Sequence, residues 1–313
     1  MTYSSRRQFF QASVVGTMAA THLATASEAI DLANSPDESG DTAANCVAIL
    51  NDTHIGEDQG SAHMHPTNLR VAIEQILGLT KRPAAVLING DLAMSVGTPG
   101  DYRNFARLIE PLHEAGMPLH LTLGNHDNRD AFLRAFPDFP SVTQFKDHRQ
   151  NGVIDLPHAR LLLLDSLKDT PAATGRLGDE QIAWLLKQAD SETKKPIVVV
   201  AHHNPRLGGD PIHFPGGVED TDAFWSELVK RLHIKAYVHG HIHDWTLAMH
   251  SGIQIINTLA SAMVANRAIC TNGWTLATFA PDGVTLQINT FLRDHRWNKE
   301  RKWLYWRPTP TVG

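Results

Sequence analysis

The sequence predicts an α/β domain in which a mixed sheet is closed by an added antiparallel sheet. Short, near-continuous runs of Val, Ile and Leu alternate with longer amphipathic stretches, the pattern of buried strands joined by helical crossovers. Carboxylate, amide and imidazole residues follow five of these runs almost at once. Past Ile253 the helical periods stop, and alternating strands separated by turn residues take over.

The elements are justified in chain order. Residues 1–30 carry Ser5-Arg6-Arg7-Gln8-Phe9-Phe10, an apolar stretch from Phe9 to Ala26 and the small-residue run Ala24-Thr25-Ala26, the pattern of a twin-arginine export signal. Thr17, Thr21 and His22 interrupt the apolar stretch, so it is too weak for a lasting membrane anchor. Residues 31–44 read as a polar linker and 45–293 as the folded domain. Within it Cys46–Leu50, Ala85–Ile88, Leu119–Leu123, Arg160–Leu164, Ile197–Val200 and Ala236–Val238 are expected as buried strands. Helices are expected over Pro66–Leu79, Gly100–Ala115, Asn128–Phe136, Gly178–Ala189 and Asp220–Leu232, several with start signals such as Thr67 and Asp222. Ile253–Leu259, Trp274–Phe279 and Val284–Phe291 are the expected closing strands, with Pro281-Asp282-Gly283 as a turn.

At 313 residues the chain buries enough surface to stand without disulfide staples. Lys and Arg number 28 against 33 Asp and Glu, so no basic excess points to a nucleic-acid polymer. The 18 His exceed the 7 Trp and 4 Tyr together, and imidazole is the commonest metal ligand. Cys46 and Cys270 are either a pair in an oxidising compartment or two unrelated buried thiols.

In open α/β sheets ligands bind beyond the carboxyl ends of the strands. There stand Asn51-Asp52-Thr53-His54, Asn89-Gly90-Asp91, Gly124-Asn125-His126-Asp127, His202-His203-Asn204-Pro205 and Gly240-His241-Ile242-His243. Singly each block is weak: Asp127, for instance, reads equally well as a helix N-cap. Together they make an Asp/His/Asn set that suits Fe, Mn or Zn better than Ca. Seven candidate ligands are too many for one ion with open positions and about right for two ions some 3.5–4 Å apart that share a carboxylate.

The ordered set Asp-x-His, Gly-Asp, Gly-Asn-His-Asp, His-His and Gly-His-x-His resembles the calcineurin-like metallophosphoesterases over about residues 45–290. Gly90-Asp91-Leu92, Gly97-Thr98-Pro99, Tyr102, Asn125-His126-Asp127-Asn128-Arg129, Phe132, Phe136, Gly175-Arg176-Leu177-Gly178, Gln181 and Trp184-Leu185 are similar to the bacterial class III cyclic-nucleotide phosphodiesterase branch. The resemblance implies a four-layer αββα sandwich with mixed sheets, of the metallo-dependent phosphatase type. It places Asp52, His54 and His243 on one ion, Asn125, His202 and His241 on a second, and Asp91 between them. His126 stays off the metals, beside the scissile phosphate. The family often has Pro directly after His-His, whereas Asn204 intervenes here; His202 is taken as the ligand because it is the first polar residue after the strand, with His203 as the alternative.

The expected activity is hydrolysis of phosphodiesters, cyclic nucleotides among them, by attack of a metal-bridging hydroxide, in the periplasm or outside the cell. Phosphomonoester hydrolysis by a nucleotidase is the alternative, and a metal-binding protein without catalysis is a third reading. The expected partner is a small-molecule phosphate ester. Residues 294–313, rich in Trp, Tyr, Arg and Lys, are read as an extension that packs on the domain, sits beside the site or forms a homodimer contact. His63 and His65 are expected in a solvated loop, residues 206–219 in a flexible loop that either covers the substrate or is a plain connector, and His239 as packed rather than ligating.

Overall fold

The computed structural model describes residues 43–309 apart from 59, 61–62, 140–144, 146 and 209–215. The twin-arginine segment, all but the end of the linker and the middle of the 206–219 loop therefore lie outside the described residues.

Two six-stranded mixed sheets pack face to face. The first has the order β12-β11-β10-β1-β2-β3 and the second β4-β5-β6-β7-β9-β8. In the first, β1 (Cys46–Leu50), β2 (Ala85–Asn89) and β3 (Leu119–Thr122) run parallel, while β10 (Gly273–Ala280), β11 (Gly283–Thr290) and β12 (Arg301–Tyr305) extend it antiparallel. In the second, β5 (Arg160–Leu163), β6 (Ile197–Val200), β7 (Ile234–His239) and β9 (Ile253–Asn257) are parallel, with β4 (Gly152–Asp155) and β8 (Thr246–His250) as antiparallel edges. Helices α1 (Met64–Leu77), α2 (Pro99–Glu114) and α3 (Arg129–Ala135) cover the outer face of the first sheet, and α4 (Asp179–Asp190) and α5 (Thr221–Lys230) that of the second. This is the four-layer αββα arrangement.

The strands read as they do because each central one is buried on both faces. Ile49, Leu87, Leu163, Val200 and Val238 interlock between the sheets, while Leu50, Ile88 and Leu162 face helices. The expected start signals Thr67 and Asp222 cap no helix, since α1 already begins at Met64 and α5 follows Asp220; a cap that the sequence reading did not name starts α2 instead. Thr98 caps α2 in a reciprocal box, its hydroxyl accepting from the Asp101 N–H at 3.2 Å while Asp101 accepts from the Thr98 N–H at 3.0 Å.

The C-terminal strands depart from expectation. They form no separate antiparallel sheet: β9 joins the second sheet beside β7, and β10 to β12 complete the first. Residues 301–305, expected within an extension, supply the edge strand β12 of that sheet. No disulfide joins the cysteines; Cys46 and Cys270 are both buried thiols, and Cys46 Sγ lies 3.2 Å from Thr278 Oγ1.

One ion pair ties the two halves together. Arg129, at the start of α3, donates to both oxygens of fully buried Asp165, just after β5, at 2.8 and 3.0 Å. The same carboxylate accepts the Gln150 and Leu167 N–H groups at 3.1 and 2.9 Å. Asp165→Ala strands a mostly buried guanidinium and two amides, a loss of about 3–5 kcal/mol. A thermal melt is expected to show Tm lower by roughly 10 °C, at about 2–4 °C per kcal/mol. An unchanged Tm would show that this pair does not hold the halves together.

Candidate metal centre

All five polar blocks converge at the carboxyl edge of the parallel strands. Two groups of ligand atoms form, each with its atoms within 4.8 Å of one another: Asp52, His54, Asp91 and His243 in one, Asp91, His202 and His241 in the other. Asp91 belongs to both. Its Oδ2 lies 3.5 Å from His54 Nε2 and 3.3 Å from His202 Nε2, and Asp52 Oδ1 lies 3.2 Å from His243 Nε2.

The local backbone is built around these side chains. Eight non-glycine residues among those described have positive φ, and five are candidate ligands: Asp52 (52°), His54 (46°), Asp91 (49°), His241 (69°) and His243 (51°). Such conformations cost of order 1–3 kcal/mol each and persist where the surroundings enforce them, typically at functional sites. Glycine leaves room where the chain passes closest. A Cβ on Gly124 would sit 2.2 Å from Asp91 Oδ1, and one on Gly90 would sit 2.4 Å from His202 Nδ1.

The donor atoms fit a pair of cations. His202 Nδ1 donates to the Asn89 carbonyl at 2.9 Å, which fixes the ring and turns Nε2 toward the carboxylates. That Nε2 and Asn125 Oδ1 are buried and make no hydrogen bond. His54 Nε2 and His243 Nε2 face each other at 3.2 Å, an arrangement that suits a shared electrophile. Burial pushes His54 down to about 4 and His241 to about 3, so both are neutral and keep a lone pair for a metal. Burial opposes charge on Asp52 and Asp91 too, but the surrounding imidazoles, His243 foremost for Asp52 and His202 for Asp91, hold both below the usual carboxylate range. Burial would also lower His202, yet Asp91 and Asp52 draw it up to about 10. The site thus attracts positive charge strongly.

Of the two adjacent imidazoles, His202 enters the ligand group. His203 enters neither group; its Nδ1 lies 2.8 Å from Ser166 Oγ and its buried Nε2 makes no hydrogen bond. His126 lies in neither group. Its N–H donates to Asp91 Oδ1 at 2.9 Å, its ring stands 4.9 Å from that of His54, and its Nδ1 is 3.0 Å from the Ser95 carbonyl. Because a carbonyl only accepts, Nδ1 carries the proton and Nε2 is the nitrogen left for a substrate.

Three outcomes differ from the sequence reading or extend it. His65, expected in a solvated loop, is buried on α1 with Nδ1 3.0 Å from the His54 carbonyl, while its neighbour His63 is exposed. His239 is buried, with Nδ1 on the Gly240 carbonyl at 2.9 Å, and joins neither ligand group. Asp127 is not the cap of α3; Asn128 is, accepting the Ala131 N–H at 3.0 Å. Asp127 is instead fully buried, accepting the N–H groups of Leu92, Ala93 and Gly124 at 3.1, 3.0 and 2.9 Å and the Tyr102 hydroxyl at 3.1 Å. It locks the loop carrying Asp91 to the loop carrying Asn125 and His126. A helix-start Asp gives no local sign of such a role; the nearby Tyr102 was the available clue.

Comparison with known proteins agrees with this geometry. The chain is 29% identical over 212 residues to the 3',5'-cyclic adenosine monophosphate phosphodiesterase CpdA of Vibrio vulnificus, covering 67% of this chain and 73% of that protein. It is 28% identical over 209 residues to the glycerophosphodiester phosphodiesterase GpdQ of Enterobacter lignolyticus, covering 65% and 73%. In fold it is similar to a dimetal phosphatase from Danio rerio, with a TM-score of 0.63 and 14% identity over 84% of this chain and 99% of that one. The family model described as calcineurin-like phosphoesterase matches residues 47–245, a span that includes every candidate ligand, and the chain belongs to that family.

Proposed function

We propose that this protein is a dinuclear-metal phosphodiesterase acting on small phosphodiesters, cyclic nucleotides or glycerophosphodiesters, and that it is exported by the twin-arginine route. The observation that carries the catalytic reading is the pair of ligand groups sharing Asp91 at the strand ends. The similarity to CpdA and GpdQ, both named for diester substrates, favours diesters over monoesters. Export rests on Ser5-Arg6-Arg7 and the apolar run after it. Among the described residues no helix is long and apolar enough to cross a membrane.

Asp52, His54, Asp91 and His243 would hold one ion, and Asp91, His202 and His241, with Asn125, the other. When bound, the ions supply an activated water and offset charge on the phosphoryl oxygens. The Asp and His composition suits Fe, Mn or Zn. His126 is carried by the Asp91 loop contact into a fixed position, with Nε2 open toward an ester oxygen that departs. Asp127 keeps the loops of the two groups in register without touching substrate.

The test is hydrolysis of bis(p-nitrophenyl) phosphate against p-nitrophenyl phosphate by Mn²⁺-supplemented protein, before and after chelation. The expected result is a diester preference of about tenfold or more and loss of nearly all turnover on chelation. Monoester preference would favour the phosphatase reading, and chelator-insensitive turnover would overturn the metal assignment. Cyclic AMP and glycerophosphocholine then separate the two diester classes. Cell fractionation with an Arg6→Lys, Arg7→Lys chain tests export, which is expected to stop.

A further inference from the structure

The ligand groups stand at the carboxyl ends of the parallel strands, and a separate cavity of about 420 Å³ opens at the amino ends. Its walls come from the residues that precede β6 and β7, the turn between β10 and β11, and the end of β12. Lys235 is the second residue of β7, six positions before His241. At about 3.3 Å per residue the cavity lies roughly 20 Å from the metal centre.

The cavity is strongly basic. Lys194, Lys195, Lys235 and Arg307 line it, against the single carboxylate of Asp282. Two of these cations are compensated elsewhere. Lys195 Nζ lies 2.9 Å from Asp155 Oδ1. Arg307 gives all five of its N–H groups to carbonyls, those of Leu228, Val229, Arg231, Ile234 and Ser251, at 2.8–3.3 Å. Three of the five belong to the C-terminal end of α5, whose partial negative charge suits a cation.

Lys235 has no such compensation. It is 4% exposed, and its Nζ meets two neutral acceptors, the Arg307 carbonyl at 2.6 Å and Thr309 Oγ1. Among the described residues no carboxylate pairs with it. Burial, and after it the charge of Arg307, bring its ammonium down to about 8. Exposed Lys194 likewise has no carboxylate partner among the described residues.

An uncompensated buried charge is costly, and such charges are normally paired or bound to a ligand. An ammonium has three N–H donors, so one donor of Lys235 and its whole charge are left for the cavity. An oxyanion supplies what is missing, an acceptor and negative charge together. The volume is that of a small-molecule site. Tyr305, 59% exposed, and Trp306 line the same cavity and offer aromatic surface to whatever the anion carries.

We infer that this cavity binds a phosphate dianion, free or borne by a nucleoside monophosphate, with Lys235 as its buried contact and Lys194 as its exposed one. The site is distinct from the metal centre and does not depend on the reaction proposed there.

The test is a thermal melt with and without inorganic phosphate, made on an Asp91→Ala chain in chelator so that metal-bound phosphate does not contribute. At a phosphate concentration one hundred times Kd, Tm is expected to rise by about 5 °C or more. A further Lys235→Met substitution is expected to abolish that rise. Without phosphate it is expected to leave Tm equal or higher, since it removes a buried charge that nothing pairs. Lys194→Ala, at an exposed position, is expected to raise the phosphate Kd about two- to fivefold by calorimetric titration. Titration with adenosine 5'-monophosphate separates the two forms of the ligand. Affinity equal to that of phosphate assigns the cavity to the free anion, and binding about tenfold tighter assigns Tyr305 and Trp306 to the nucleoside. A phosphate response that survives Lys235→Met, or no response in the Asp91→Ala chain, overturns the site. If Lys235→Met melts lower without phosphate, Lys194→Ala decides: an unchanged Kd makes Lys235 a tie to the C-terminal residues and overturns the site, and a raised Kd upholds it.

Discussion

An Asp91→Ala chain is expected to lose both ions and to turn over phosphodiesters more slowly by roughly three orders of magnitude or more, about 4 kcal/mol of transition-state stabilisation. The reason is its place in the site. Asp91 is the one residue common to the two ligand groups, 3.5 Å from His54 on one side and 3.3 Å from His202 on the other. His241 belongs to one group alone, so His241→Ala is expected to keep one ion per chain where Asp91→Ala keeps none. Asp91→Asn separates charge from shape: its carbonyl oxygen can still accept the His126 N–H, but the shared negative charge is gone. It is expected to resemble the alanine variant. Metal analysis by mass spectrometry beside kcat/KM decides the matter. Two ions per chain and near-wild-type turnover in Asp91→Ala would refute the assignment.

Metal loss is also expected to weaken the fold, because five of the candidate ligands hold positive φ. Anything that binds only the native state adds stability, by about 2.7 kcal/mol at a free concentration one hundred times Kd. The strain at the strand ends would thereby be offset by the ions that the same residues are proposed to bind.

This strain explains how unevenly the molecule was legible in its sequence. The ligand blocks could be found because strand ends are where an α/β sheet presents chemistry, and the runs preceding them are nearly unbroken Val, Ile and Leu. That Asp52 or His243 takes up a left-handed conformation could not, since Asp and His tolerate it better than most residues but do not require it. The helices were legible from their period, but not from the named start signals: Thr67 lies inside α1 and Asp222 in the first turn of α5. β4, β8 and β12 were not: all three are sheet edges, only four or five residues long, and exposed enough to lack a buried run. Their pairing is decided by partners distant in sequence, as when Arg301–Tyr305 lies along Gly283–Gln287. For the same reason β9 read as part of a closing antiparallel sheet, although its neighbour β7 runs parallel to it. Asp127 shows the limit most clearly. An Asp at a helix start has a sufficient local explanation as a cap, and only the fold reveals that it binds two amides of the loop after β2 and one of its own loop.

His126→Ala is expected to keep both ions and lose rate, by an amount set by the leaving group. The side chain belongs to neither ligand group, and the backbone N–H that supports Asp91 survives the substitution. With Nδ1–H committed to the Ser95 carbonyl, the doubly protonated ring carries its second proton on Nε2, the atom that would give it to a departing oxygen, leaving the neutral ring protonated at Nδ1. p-Nitrophenolate leaves readily without a proton, so the loss there is expected to be about tenfold at most, from the missing positive dipole. An alkoxide needs the proton, and the loss on glycerophosphocholine or a cyclic nucleotide is expected to reach about 10²–10⁴-fold. Measured kcat values for both classes, with metal content checked alongside, separate the possible roles. Equal losses on the two would make His126 a stabiliser of charge on the phosphoryl group instead of a proton donor, and loss of an ion would make it a ligand. A loss that grows with the basicity of the leaving group assigns the proton to Nε2, and with it the direction from which the leaving alcohol departs.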